Sequence, residues 1–271
     1  MLNEKQSIAS NAYGKTSYLN LKFIEQQHKT ILDDAFFTAP FKIMKPFIAK
    51  KLAHFMILTA SAGIMEGDCQ KLNIELESGS AVELTAQSFE KIHKMNNGEA
   101  VRNTKITLDK DTILFYMPQP VIPFSQSAFT NKTDIYLTNQ TARLFYSEIL
   151  NCGRVARQEQ FLYRKYCAPL KIYIDNIISY FENTRYIPQQ QNLTSFGFYE
   201  NYTHLATILI FNFAINNEFC ANLHKIINEN NRIDGGISCI LNKHLCIKAF
   251  AHSAESLINF IDTVKNELDT Q

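Results

Sequence analysis

Leu72-Asn73-Ile74-Glu75-Leu76-Glu77-Ser78-Gly79-Ser80-Ala81-Val82-Glu83-Leu84-Thr85-Ala86-Gln87 is the stretch that decides the fold class. Leu72, Ile74 and Leu76 alternate with Asn73, Glu75 and Glu77, the period of two that marks a half-buried strand. Ser78-Gly79 then turns the chain. Val82, Leu84 and Ala86 share one face of the next strand, which places Glu83, Thr85 and Gln87 on the other and makes Thr85 and Gln87 neighbours.

Working outward, the same reading predicts strands over Tyr18–Ile24, His54–Thr59, Arg102–Leu108, Thr112–Met117, Thr133–Leu137 and Ala142–Leu150. Gln160–Tyr166, Lys171–Ser179, His204–Phe213 and Leu245–Ala251 extend the set. Helical spacing takes over twice, with Phe219, Leu223, Ile226 and Ile227 inside Glu218–Asn230, and Leu257, Ile261, Val264 and Leu268 inside Ala254–Leu268, where Ser253 can cap. Tyr186–Gly197, with Pro188 and three glutamines, reads as a long flexible loop. No repeat and no Gly/Ser-rich linker divides the chain, so the expectation is one mainly β domain over residues 1–271, stacked layers of sheet with about two helices.

Composition narrows the function classes. Of 271 residues 46% are hydrophobic and 20% charged, as in an ordinary globular protein. Twenty-seven basic against 26 acidic residues leave no footprint for nucleic acid. Met1–Gln6 lacks the apolar core of a secretory signal, and Leu205–Phe213 falls short of the ~20 residues of a membrane helix, so neither membrane nor export is expected and the protein is placed in the cytoplasm. Six cysteines without a Cys-x-x-Cys pair suit reduced thiols there.

Several groups could carry chemistry. In Ser61-Ala62-Gly63-Ile64-Met65-Glu66-Gly67-Asp68, Gly63 and Gly67 supply either a special backbone shape or an ordinary turn, and the absence of Gly-x-x-x-x-Gly-Lys-Ser/Thr argues against a nucleotide loop. Glu148 shares strand parity with Leu144, Tyr146 and Leu150, which directs a carboxylate at an apolar surface, where Arg154 and Arg157 are candidate partners. His244-x-Cys246 supplies two metal ligands at most, and His93 is a weaker candidate. Asp68 and Glu148 could in principle serve hydrolysis, but no nucleophile elbow or Cys-His signature accompanies them. Pro118, Pro120 and Pro123 end a strand, and the segment to Phe124 and Phe129 is either a rigid surface turn or part of a partner surface.

Four blocks in order, the Ser61–Asp68 turn, Thr85-x-Gln87-x-x-x-Lys91, Pro118-x-Pro120-x-Ile122-Pro123-Phe124 and Glu148-x-x-x-Cys152-Gly153-Arg154-Val155-Ala156-Arg157-x-Glu159, resemble the urease accessory proteins called UreD or UreH. Phe36-Phe37-Thr38-x-Pro40-Phe41-Lys42 and Gln87–His93 look particularly like the UreH proteins of epsilon-proteobacteria. Where relatives often have Pro-Gly-Gly, this chain has Ala62-Gly63 and Glu66-Gly67. The resemblance implies a mostly β fold of crossed layers and no catalysis by the chain alone. It implies a direct complex with UreF as a heterodimer of dimers, recruitment of the GTPase UreG, and docking on apo-urease. It also implies transient nickel with no permanently bound cofactor. Asp68, Glu148 and Glu159 would then line an interior route for the ion. Thr85, Gln87, Lys91, Arg154, Gly63 and Gly67 would shape it. Carboxylate and water ligands suit such a route because they release nickel more readily than imidazoles and thiolates. A β-rich binding module unrelated to nickel is the alternative, separated by the absence of a UreF complex.

Overall fold

The computed structural model describes residues 16–44, 46–49 and 52–269, and the Met1–Gln6 segment considered above for a leader lies outside them. The strands are β1 (Thr16–Gln26), β2 (Lys29–Phe37), β3 (Phe41–Ile43), β4 (Phe47–Ala49), β5 (Leu52–Thr59), β6 (Cys69–Leu76), β7 (Ala81–Ala86), β8 (Glu90–Ile92) and β9 (Ala100–Leu108). They continue as β10 (Ile113–Met117), β11 (Val121–Pro123), β12 (Ala128–Leu137), β13 (Arg143–Asn151), β14 (Lys165–Ile174), β15 (Ile177–Tyr186), β16 (His204–Phe211), β17 (Ile233–Ile240) and β18 (His244–Ala251). The helices are α1 (Asn217–Glu229) and α2 (Ala254–Asp269). The mainly β expectation with two helices is borne out.

One sheet runs β15-β14-β12-β9-β6-β1-β2 and the other β17-β18-β16-β13-β10-β7-β5-β3. From β5 to β14 the chain passes back and forth between them, with the short β8 and β11 staying in the second sheet after β7 and β10, and neighbours along each sheet are parallel until the antiparallel outer strands. It therefore winds as a flattened coil without any sequence repeat. Ser78-Gly79 is the corner at which it crosses from one sheet to the other.

Side-chain rungs across the parallel strands build the core. In the first sheet Phe23, Leu76, Leu108, Leu137 and Ile174 stand in register, followed by Leu21, Ile74, Ile106, Ile135 and Ile172. These face Val82, Leu84, Leu114, Leu144 and Phe55 of the second sheet in one buried cluster. Each fully buried Ile or Leu contributes about 1.5–3 kcal/mol. The outer face of the second sheet carries Phe115, Phe145, Ile208 and Ile247, which are covered by Phe219, Leu223 and Ile227 of α1 and Leu257, Phe260 and Val264 of α2. The Ser253 hydroxyl accepts the Ser256 N–H at 3.2 Å, the cap expected for α2.

Four expectations need correction. Residues 160–164 are irregular, and β14 begins only at Lys165. Lys171–Ser179 is not one strand, since Asp175 and Asn176, at φ 51° and 63°, turn it into the β14–β15 hairpin. Phe129 is no surface aromatic, being 1% exposed on β12 in a third cluster with Tyr163 and Tyr166. The segment after Tyr186 is anchored: Leu193 is buried in that cluster, and the Gln191 side chain accepts the Ile187 N–H at 2.7 Å.

Candidate functional site

With distance from the Ser78-Gly79 corner, the inward rungs change from aliphatic to polar on both sheets. Beyond Ile74 and Ile106 come Leu72, Thr104 and Thr133, and then Gln70, Arg102 and Asn131. On the facing sheet Leu84, Tyr116, Tyr146 and Leu209 are followed by Glu148, Thr207 and Lys248. Polar side chains meeting across two sheets cannot pack as aliphatic ones do, and a cavity of ≈ 60 Å³ results. At the ~10–15 Å³ that one water requires, it has room for about four.

Glu148, Glu90, Arg102, Gln87, Gln119, Tyr116, Tyr146 and Asn131 are among its lining residues. Arg102 donates to Glu90 at 2.5 Å and to Gln70 at 2.8 Å. Burial would lower the Arg102 pKa, but the Glu90 carboxylate beside it outweighs that and raises it. Burial raises the Tyr116 phenol, and raises the Tyr146 phenol well above its ordinary value with Glu148 adding to it, so both stay neutral. Tyr146 donates to Glu148 at 2.9 Å.

Beside this, Lys248 bridges Glu182 at 2.5 Å and Thr207 at 2.8 Å, while Tyr180 and Thr184 each donate to Glu182 at 2.7 Å. Burial acts to raise Glu182, but the Lys248 charge and these hydrogen bonds hold it below its ordinary value. Glu148 behaves in the opposite way. Burial first and the Glu182 charge second push it up to about 6, against the opposing pull of Lys248 and the Tyr146 hydroxyl. It is half-buried between the sheets and stands on the cavity wall. Among the described residues, two carboxylates are thus neutralised by cations in contact and a third is not. The Asn131 amide oxygen is buried without a hydrogen-bond partner, leaving an acceptor open to a water or a hydrated ion.

The residues singled out from sequence fall into two groups. Gln87 and Glu148 line the cavity, Gly63 and Lys91 line a small adjoining hollow, and Thr85 lines a cleft beneath α2. Thr85 and Gln87 do not share a face: β7 ends at Ala86 and the chain bends at Gln87, which turns that side chain inward while Glu83 and Thr85 face α2. Gly63 is required both by φ of 141° and because a Cβ would stand 2.4 Å from the Lys91 carbonyl oxygen.

The second group lies outside the cavity lining. Asp68 accepts the Met65 N–H at 2.8 Å and braces the turn, and the Gly67 N–H reaches the Glu99 carbonyl at 3.1 Å. Glu66, not singled out beforehand, fastens the same turn by accepting the N–H groups of Asn96 and Gly98 at 2.7 and 2.6 Å. Arg154 pairs with Glu159 through two hydrogen bonds, not with Glu148, and sits 4.1 Å over the Phe124 ring. The Arg154 hydrogen bond holds Glu159 below the usual carboxylate range. His244 is a core histidine stacked on Phe211 that accepts the Asn212 N–H at 3.2 Å, and the Cys246 sulfur lies 3.7 Å from the Tyr180 hydroxyl. Among the described residues no three His, Cys, Asp or Glu groups are placed to hold a metal ion together.

Sequence reading passed over Gln70, Glu90, Arg102, Tyr116, Glu182 and Lys248. Part of the signal was present, because Arg102 and Gln70 occupy the parity of Ile106 and Ile74, and polar residues at inward positions announce a hollow once the facing strands are known.

The sequence model of the family described as UreD urease accessory protein matches residues 15–271. The urease accessory protein UreD of Acetivibrio thermocellus is 36% identical over 260 residues, covering 95% of this chain and 99% of that protein. The urease accessory protein UreH of Helicobacter hepaticus is 37% identical over 251 residues, 92% of this chain and 97% of that protein. That of Helicobacter pylori strain J99 is 34% identical over 256 residues, 94% and 95% of the two. With the match running from the first described strand through α2, the chain belongs to the UreD family of urease accessory proteins.

Proposed function

We propose that the protein is a cytoplasmic scaffold for urease maturation that binds UreF, brings the GTPase UreG to apo-urease and assists nickel delivery without turnover of its own. The observation that carries the passage is Glu148, a carboxylate without a contacting cation among the described residues, on the wall of a polar hollow between two sheets. Nickel is cargo in this reading. Phenol, amide, carboxylate and water oxygens bind it weakly enough to let it go, whereas a closed set of imidazoles and thiolates would retain it. Glu148 and Gln87 act on the ion directly. Asp68 and Glu159 act through the turns they brace, and Thr85, Lys91, Gly63, Gly67 and Arg154 shape the surroundings.

The test is nickel-dependent activation of apo-urease by the reconstituted accessory set carrying Glu148→Ala. Activation should fall while UreF still co-purifies with the variant. Unchanged activation by a folded, UreF-bound variant would remove the passage, and failure of the unaltered chain to bind UreF would remove the scaffold.

A further inference from the structure

The cavity between the sheets does not stand alone. The small hollow by Gly63 and Lys91 shares Thr59, Ser88 and Glu90 with it. On the other side a cleft of ≈ 160 Å³ beneath α2, bordered by Thr85, Ser147, Ile258 and Asp262, shares Pro118, Gln119 and Ile149 with it. The three hollows therefore share walls in sequence, and the second shared wall is the sheet itself.

The backbone explains how a sheet can be crossed there. β7 stops at Ala86 and β10 at Met117, while β13 continues beside them to Asn151. Pro118 and Pro120 have no N–H to give, so the ladder cannot close, and it resumes only where Val121 pairs with Leu150. Gln119 stands in this window between two residues of fixed φ. Gln119 borders both hollows, and its side chain makes no hydrogen bond among the described residues. A neutral amide free to turn presents an oxygen to a cation's water shell or an N–H₂ to an acceptor, and adds no charge that would hold the ion.

We propose that Gln119 is the gate of a second opening, through which the hollow between the sheets empties beneath α2. The identity of the ion rests on the function proposed above; the opening does not. Outside the gate, Glu83 is occupied by Lys265 at 2.5 Å and His54 at 3.2 Å. Asp262 therefore supplies the rim charge, having no hydrogen bond or ion pair at its carboxylate among the described residues. α2 is the lintel of the opening, and a small hydrated cation is the solute it suits.

The opening can be tested without nickel by placing a thiol inside the hollow as Asn131→Cys in the full chain. Its modification by methyl methanethiosulfonate is followed by mass spectrometry of the peptide containing position 131. Gln119→Phe should slow modification about tenfold, which corresponds to ~1.4 kcal/mol of barrier, and Gln119→Ala should speed it. Ser88→Phe, at the opposite junction, should leave the α2 side open and the thiol still reactive. If Asn131→Cys does not fold, Thr104→Cys reports from the same cavity. Unaltered labelling in Gln119→Phe overturns the gate, whatever urease activation does. Slowed labelling with unaltered nickel-dependent activation keeps the gate and removes the nickel route.

Discussion

Replacing Glu148 with Gln should stabilise the protein at neutral pH and do so much less in acid. The carboxyl stands at about 6 in the folded chain against an ordinary 4.5, because it is buried and faces the Glu182 charge. At 1.36 kcal/mol per pH unit this is about 2 kcal/mol by which folding disfavours the ionised group, reduced to about 1–2 because cavity water solvates it in part. The folded state binds the proton more tightly, so the stability this group allows is fully present below 4.5 and is lost progressively as pH rises from 4.5 through about 6. Above the window both states are ionised and the full cost is present; below 4.5 both are protonated and it is gone. Glu148→Gln keeps an oxygen for the Tyr146 hydroxyl and has no charge to desolvate. Urea unfolding followed by circular dichroism should therefore show the variant more stable by about 1–2 kcal/mol near pH 7.5, and by only a few tenths near pH 4.5. Glu182, whose pKa moves the other way, is present in both proteins and largely cancels. An advantage of the same size at both pH values would refute the reasoning.

Two further outcomes concern the scaffold. Gly63→Ala puts a methyl group against the Lys91 carbonyl in a left-handed backbone and should cost about 1–3 kcal/mol, read as a lower Tm, with Ala62→Gly as a control that leaves the contact intact. Ile106→Ala, in the middle of the Ile74–Ile106–Ile135 rung and fully buried, should cost about 2–5 kcal/mol in the same urea assay; a loss under 1 kcal/mol would mean the rung is not packed as described.

Period-two alternation located most of the coil, and the helical period located both helices to within a residue or two, because each element buries a single face. Where both faces or neither are apolar the pattern fails. β15 has Ile177, Ile178 and Phe181 exposed along the sheet edge, so it carries no clean alternation and only its start was read, as the end of β14. β17 contains Gly235-Gly236, which looks like a turn, yet a Cβ on Gly235 would lie 2.6 Å from the Lys248 carbonyl and the glycine is what lets the strand approach. The candidate site was legible residue by residue more than as a whole. Glu148 stood out as a carboxylate at an apolar parity. The cation expected for it was wrong, since Arg154 belongs to Glu159, while the Lys248 charge that does reach Glu148 arrives a hundred residues later through pairing of β16 with β18 and is in contact with Glu182 instead. Asp68 and Glu159 resemble lining groups because they are acidic and sit in the family's pattern, but local backbone and Arg154 claim their oxygens.

The winding of the chain has a consequence for dissection. Leu72, Arg102 and Asn131 come from successive circuits on one wall, while Tyr116 and the pair Tyr146 and Glu148 come from different circuits on the other. The hollow is a joint product of separate laps, so no excised stretch can contain it. Deleting one lap would slide the neighbours into a new alignment and fill the space, which makes the interior an all-or-nothing property of the intact polypeptide.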